Sequence, residues 1–158
     1  VTALPEIPET FDVTRDLLAV RDLAAPLSRL WAAWTDPVQL PLWWGPKGFR
    51  CETLEIDLRP GGQWRFTMIG PDGTRYANRI RYPAMIPMER IDYVIDDDGA
   101  GHICFGARAR FSATLTGSRV EMHSRFDSPA TLVAMERLRA RDGLASTLAC
   151  LADFLDGA

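Results

Sequence analysis

The chain has 158 residues, 47% of them hydrophobic and 25% charged, with a formal net charge of −3. That length suits one domain with a sizeable core. The acidic balance excludes a general nucleic-acid binder, which needs a basic excess to displace counterions from phosphates, and no apolar run approaches the roughly 18 residues of a membrane span.

Residues 1–15 carry two prolines, Pro5 and Pro8, and little periodicity, so they read as an N-terminal arm, at least partly loose. They show neither a positive n-region nor an apolar h-region, so no signal peptide is read and a cytoplasmic protein is expected. Residues 16–24 read as a first strand. Pro26 is placed at a first helical position, followed by Leu27, Leu30, Trp31 and Trp34 on one face. Asp36-Pro37 reads as the start of a second helix, short because Pro41 lies inside it and Gly45-Pro46 ends it.

The middle of the chain alternates with period two. Strands are expected at 50–58, 63–69, 75–82, 89–95, 107–115 and 119–126. The turns between them are Arg59-Pro60-Gly61-Gly62, Gly70-Pro71-Asp72-Gly73, the acidic run Asp96-Asp97-Asp98 with its glycines, and Thr116-Gly117-Ser118. One face is apolar: Trp64, Phe66, Met68, Tyr76, Ile80, Tyr93, Phe111, Leu115 and Met122. The other carries both signs of charge and His123, and is expected to be wet. Its charges suit cross-strand pairing, and it lacks the aromatics of a nucleic-acid platform.

Ser128-Pro129 opens a final helix that runs to Leu155, with a stripe at Leu144, Leu148, Leu151 and Leu155. The apolar period weakens between Arg137 and Asp142, and Gly143 follows, so a bend or break is expected there. The fold class is therefore α+β: an antiparallel sheet of six to seven strands around a long C-terminal helix, with two short helices after strand 1. Residues 16–158 form the single domain.

That order resembles the helix-grip plan of the START-like superfamily (SRPBCC), to which the major birch-pollen allergen belongs. Trp31-Ala32-Ala33-Trp34-Thr35-Asp36-Pro37 and Trp43-Trp44-Gly45-Pro46-Lys47-Gly48-Phe49 are similar to the N-terminal signature of homologues of the activator of heat shock protein 90 ATPase. Asp57-Leu58-Arg59-Pro60-Gly61-Gly62-Gln63-Trp64-Arg65-Phe66 is similar to that family's second signature, and Asp72-Gly73 with Ile86-Pro87-Met88-Glu89-Arg90-Ile91 continues it. The resemblance spans roughly residues 16–156. Family members often carry tryptophan after the glycine of the last helix, where this chain has Leu144. The eukaryotic co-chaperones add an N-terminal domain for which this chain has no room, so chaperone activation is not carried over.

A curved sheet on one helix leaves a gap that can become a cavity. The candidate lining is Trp43, Trp44, Phe49, Ile56, Trp64, Phe66, Met68, Tyr76, Asn78, Ile80, Tyr93, Phe111, Met122, Met135 and Leu138. Asn78 is its polar member, and a buried amide needs a partner in the protein, in water or in a ligand. His102 and His123 have no third residue to orient them as bases, and no nucleophile signature is present. Cys51, Cys104 and Cys150 are too widely spaced for zinc and read as free thiols. The acidic run lacks EF-hand spacing and reads as a solvated loop. No metal, cofactor or catalytic residue is expected.

Three functions stay open. The first is a binder of a small apolar or aromatic ligand. The second is an enzyme of the same fold, such as a polyketide cyclase or dehydratase, or a hydrolase. The third is a stress-linked protein that touches a chaperone through its surface. A homodimer is compatible with the sequence, and neither nucleic acid nor membrane is expected as a partner.

Overall fold

The computed structural model describes residues 4–157. Its elements are β1 (Asp16–Leu23), α1 (Leu27–Thr35), α2 (Leu40–Trp43), β2 (Arg50–Ile56), β3 (Gln63–Ile69), β4 (Arg75–Ile86), β5 (Arg90–Asp96), β6 (Cys104–Ala113), β7 (Ser118–Arg125), α3 (Pro129–Arg137) and α4 (Ala140–Gly157). The strands form one antiparallel sheet in the order β1-β7-β6-β5-β4-β3-β2. Consecutive strands from β2 to β7 are neighbours, and β1 closes on β7 across the long α1–α2 excursion. This is the α+β helix-grip architecture. No helix among the described residues is long and apolar enough to cross a membrane.

Alternation puts Trp64, Phe66, Ile80, Tyr82, Ile91, Tyr93, Ala107, Ala109, Phe111, Val120 and Met122 on the inner face, all buried. The α4 stripe covers them with Leu148, Leu151 and Leu155, while Leu30, Ala33 and Trp34 do so from α1. Several local expectations shift. Pro26 is the N-cap of α1 and not its first residue. Asp36 does cap a turn, taking the Val38 N–H at 2.8 Å, but α2 itself starts only at Leu40. β4 runs on to Ile86, with a register irregularity between Arg81 and Ala84 that accommodates Pro83. Leu115 is not on the apolar face: it sits fully exposed at the β6–β7 hairpin tip.

The break in the C-terminal helix falls at Leu138-Arg139. Arg139 adopts a left-handed conformation, φ 63°, which stops α3 and redirects the chain into α4. Gly143 lies inside α4, where a Cβ would touch Pro46 at ordinary contact distance. It therefore marks where α4 packs on the Gly45–Pro46 loop.

The outer face is less wet than its composition implies. Asp16, Asp92, Asp96, Arg108, His123 and Arg125 are all buried there. Arg125 donates to both oxygens of Asp16 at 2.9 Å, and His123 Nε2 lies 2.7 Å from Asp16 Oδ2. Arg108 holds Asp92 in the same two-pronged way. Much of the cover comes from the arm, which packs on the sheet and is not loose over residues 4–15. The Glu6 carboxylate and the Thr10 carbonyl both accept from Arg125, the Glu9 carbonyl accepts from Arg110, and the Phe11 ring sits 5.7 Å from that of His123. Gly106 lets the arm cross: a Cβ there would collide with the Glu6 carbonyl.

Two expectations follow from this face. Gly106→Ala should cost about 1–3 kcal/mol through overpacking and free the arm first, read as faster proteolytic cleavage within residues 4–15. If cleavage there is unchanged, the arm is not held as described. Asp16 supplies the second. Burial alone would raise its pKa, but hydrogen bonds from Arg125, the Asp12 N–H and His123 outweigh that and hold it below the usual range. As pH falls, the unfolded chain therefore takes up this proton first. The contribution is complete above the ordinary Asp value of about 4 and declines below it, towards the folded value. Denaturant titration should show Asp16→Asn losing about 3–5 kcal/mol at pH 7, with a shallower fall in stability than the parent between pH 4 and pH 2.

Candidate functional site

The inner face does not keep an open centre. Trp34 packs against Trp43 at 5.1 Å, Trp44 at 5.6 Å and Phe111 at 5.3 Å between ring centroids, and Trp64 stacks on Phe66 at 3.8 Å. Trp43 Nε1 donates to the Ala33 carbonyl and Trp64 Nε1 to Thr53 Oγ1, which pins both indoles. Eight of the candidate lining residues belong to this packed mass: Trp43, Trp44, Trp64, Phe66, Ile80, Tyr93, Phe111 and Met122. Burial pushes the Tyr93 phenol far above its ordinary range, so it stays protonated and supplies no base. Ile56 packs at the margin of the cluster. Met135 belongs to a separate cluster with Leu17, Phe126 and Leu132, and Leu138 is 75% exposed at the end of α3.

Free volume lies instead at one end of the sheet. A cleft of about 570 Å³ is lined by Phe49, Met68, Arg75, Tyr76, Ala77, Asn78, Asp96, Asp97, Ala100, His102 and Ile103. Four of the candidates, Phe49, Met68, Tyr76 and Asn78, meet there. Phe49 comes from the loop after α2, and its ring centroid is 6.3 Å from that of Tyr76 on β4. Gly45 and Gly48, at φ 105° and 89°, turn that loop over the end of β3. Asn78 Nδ2 donates to the Tyr76 carbonyl at 3.1 Å, an interaction within its own strand. No other side-chain hydrogen bond engages this amide among the described residues, so its Oδ1 has acceptor capacity that the protein does not use.

The opposite wall is the β5–β6 loop, which the inner-face pattern did not single out. Its three acids hold the loop itself. Asp97 accepts from the backbone N–H of Gly101, His102 and Ile103 at 2.8–3.3 Å. Burial would raise its pKa, but these N–H groups lower it more. Asp96 accepts from Arg79 and Arg81, and Asp98 from Arg65. The run is thus clamped by arginines and backbone, and is not the solvated loop expected. His102 lies in the cleft wall and is exposed. His123 is on the far side of the sheet, bonded to Asp16.

The three cysteines are free. Cys51 donates to the Trp44 carbonyl, and burial pushes its thiol up to about 12. The site can therefore hold an apolar body against Phe49, Met68, Tyr76 and Ile103. It offers hydrogen bonds at Asn78 and the strand edge.

No curated protein matches the chain. Solved structures do. A protein from Nitrosomonas europaea superposes with a TM-score of 0.82 at 24% identity, covering 94% of this chain and 99% of its own. One from Chromobacterium violaceum gives 0.74 at 26% identity, with 87% and 95% covered. The AHSA1 protein of Silicibacter pomeroyi gives 0.73 at 24% identity, with 89% and 97% covered. The family described as "Activator of Hsp90 ATPase homolog 1-like protein" matches residues 24–156. The match takes in both tryptophan signatures, the Pro60-Gly61-Gly62 turn and α4 up to Asp156, and the chain belongs to this family.

Proposed function

We propose that this protein binds a small apolar or aromatic molecule in the cleft between β4 and the β5–β6 loop. The observation that carries the reading is the cleft itself. Its volume of about 570 Å³ falls within the usual range for small-molecule sites. Its walls combine four large apolar side chains, Phe49, Met68, Tyr76 and Ile103, with the polar residues Arg75, Asn78, Asp96, Asp97 and His102. The charged residues around it are already engaged: Arg75 with Glu52, Asp96 with Arg79 and Arg81, and Asp97 with its own loop. A charged ligand would have to break those pairs, whereas an apolar one displaces water from Tyr76 and Ile103, which are 48% and 40% exposed.

Native mass spectrometry of freshly purified protein should show a discrete bound mass, recoverable by organic extraction. Titration with the uncharged fluorescent probe N-phenyl-1-naphthylamine tests the place. Tyr76→Ala removes a large contact from a partly exposed position and should weaken binding about tenfold, equivalent to about 1.4 kcal/mol. Leu138→Ala, away from the cleft, should leave it unchanged. Equal affinities for parent and Tyr76→Ala would remove the cleft as the site.

A further inference from the structure

The sheet is open, so β1 and β2 are edge strands. An edge carries a row of unpaired N–H and C=O groups, which proteins blunt with bulges, charges or a covering segment. β2 is blunted in all three ways. Its ladder with β3 is irregular between Thr53 and Glu55, it exposes Arg50, Glu52 and Glu55, and Cys51 is tied to the Trp44 carbonyl at the end of α2. β1 is less guarded. Its ladder with β7 runs unbroken from Asp16 to Leu23, and Leu18 and Val20 stand exposed at its middle.

The antiparallel pattern fixes which groups this edge presents. Each residue turns its N–H and C=O to the same side, and the side alternates along the strand. The Gly117 carbonyl accepts from the Thr114 N–H across the β6–β7 hairpin, and the Phe126 N–H donates to the Arg15 carbonyl. Even-numbered residues of β7 therefore face β1, where the register pairs them with Leu17, Ala19, Arg21 and Leu23. Asp16, Leu18, Val20 and Asp22 turn both groups away from the sheet. The Asp16 N–H is taken by the Asp12 carbonyl at 2.9 Å. No hydrogen bond reaches the backbone of Leu18, Val20 or Asp22 among the described residues.

We infer that this edge pairs with the same edge of a second copy of the chain, antiparallel and two-fold symmetric about Val20. The neighbouring registers fail. A ladder centred on Ala19 sets Asp22 against Asp16 of the second copy, two carboxylates on one face, and needs the Asp16 N–H that Asp12 holds. A ladder centred on Leu18 needs that N–H too. Centring on Arg21 or Asp22 opposes like charges directly. Centring on Val20 uses each free group: Val20 meets Val20, and Leu18 and Asp22 meet each other's counterparts. The Asp22 carboxylate stays with Arg119 at 2.6 Å, so it brings no unpaired charge against Leu18. On the inner face Arg21 lies beside the small Ala19 of the second copy, and Leu17 opposes Leu23. On the outer face Leu18 and Val20 of both copies join in one apolar strip. Phe11 extends it, since its ring packs on His123, the residue paired with Leu18. The ladder closes where the free groups end, at Asp12 beside Asp16 and at Leu23.

Sedimentation of the full chain should show a concentration-dependent dimer. As concentration rises, hydrogen exchange should slow at the Leu18, Val20 and Asp22 N–H groups and stay constant along β2. Mixing isotope-labelled and unlabelled chains should reveal an Hα contact between Leu17 of one copy and Leu23 of the other, residues about 20 Å apart within one strand. Val20→Lys sets two ammonium groups opposite each other and should weaken the dimer at least about tenfold. Leu54→Lys, exposed on β2, should leave it unchanged. The wild-type exchange and labelling measurements stand even if Val20→Lys does not fold. A monomer up to millimolar concentration overturns the inference, as does a dimer whose Leu18, Val20 and Asp22 exchange is unaltered. Slowed exchange without the Leu17–Leu23 contact overturns the register centred on Val20.

Discussion

Trp34 stands where α1, α2 and the sheet meet, and its indole packs against Trp43, Trp44, Tyr93 and Phe111. Most of the architecture leans on this contact. Two short helices of nine and four residues hold little stability of their own, so the aromatic mass fixes them against the strands. The same mass fills the space under α4. A helix-grip fold with smaller side chains at these positions would leave its hollow in the middle. Here the hollow is displaced to the strand ends, where Phe49, Met68 and Tyr76 border it. Within this mass Trp34 Nε1 is buried without a partner among the described residues, a cost accepted inside a tightly packed aromatic cluster.

The second constraint is the unequal length of β4 and β5. A sheet edge that is neither paired nor covered normally draws another strand. In this protein the exposed stretch is short and is flanked by the Asp96–Ile103 loop, so it opens on a bounded cleft and not on solvent at large. The loop keeps its shape through its own carboxylates. Asp97 gathers three N–H groups, and Asp96 and Asp98 are tied to arginines of β4 and β3. Acid residues that read in the sequence as a solvated loop therefore do positional work for an apolar site.

The outer face shows how a charged surface becomes part of the interior. Arg125, Asp16 and His123 are buried beneath the arm, and removing either partner of such a pair leaves a charge without compensation. The arm supplies two of the acceptors that satisfy Arg125, the Glu6 carboxylate and the Thr10 carbonyl. It is thus coupled to the strand pairing of β1 with β7, although neither its prolines nor its poor periodicity signals this.

Period-two alternation determined the strands, because a pleated chain must send successive side chains to opposite faces. The residues of β3 and the inner set of Trp64, Phe66, Ile80, Tyr93 and Met122 could be read directly. Proline, glycine and the Ser128 cap marked the turns and helix starts, and the tryptophan signatures marked the family. Four cleft residues, Phe49, Met68, Tyr76 and Asn78, were also legible as members of an apolar face. Which part of that face is filled and which is open was not. Filling depends on how indoles from α1 and α2 interlock with those of the sheet, a matter of three-dimensional shape that no one-dimensional pattern encodes. Nor could the sequence reveal that β5 ends while four residues of β4, Arg75 to Asn78, still have no partner on that side. Register is fixed between strands, through Asp98 turning left-handed and binding Arg65. Tertiary structure alone therefore placed Ala77, His102 and Ile103 at the site and set the arm over the outer face.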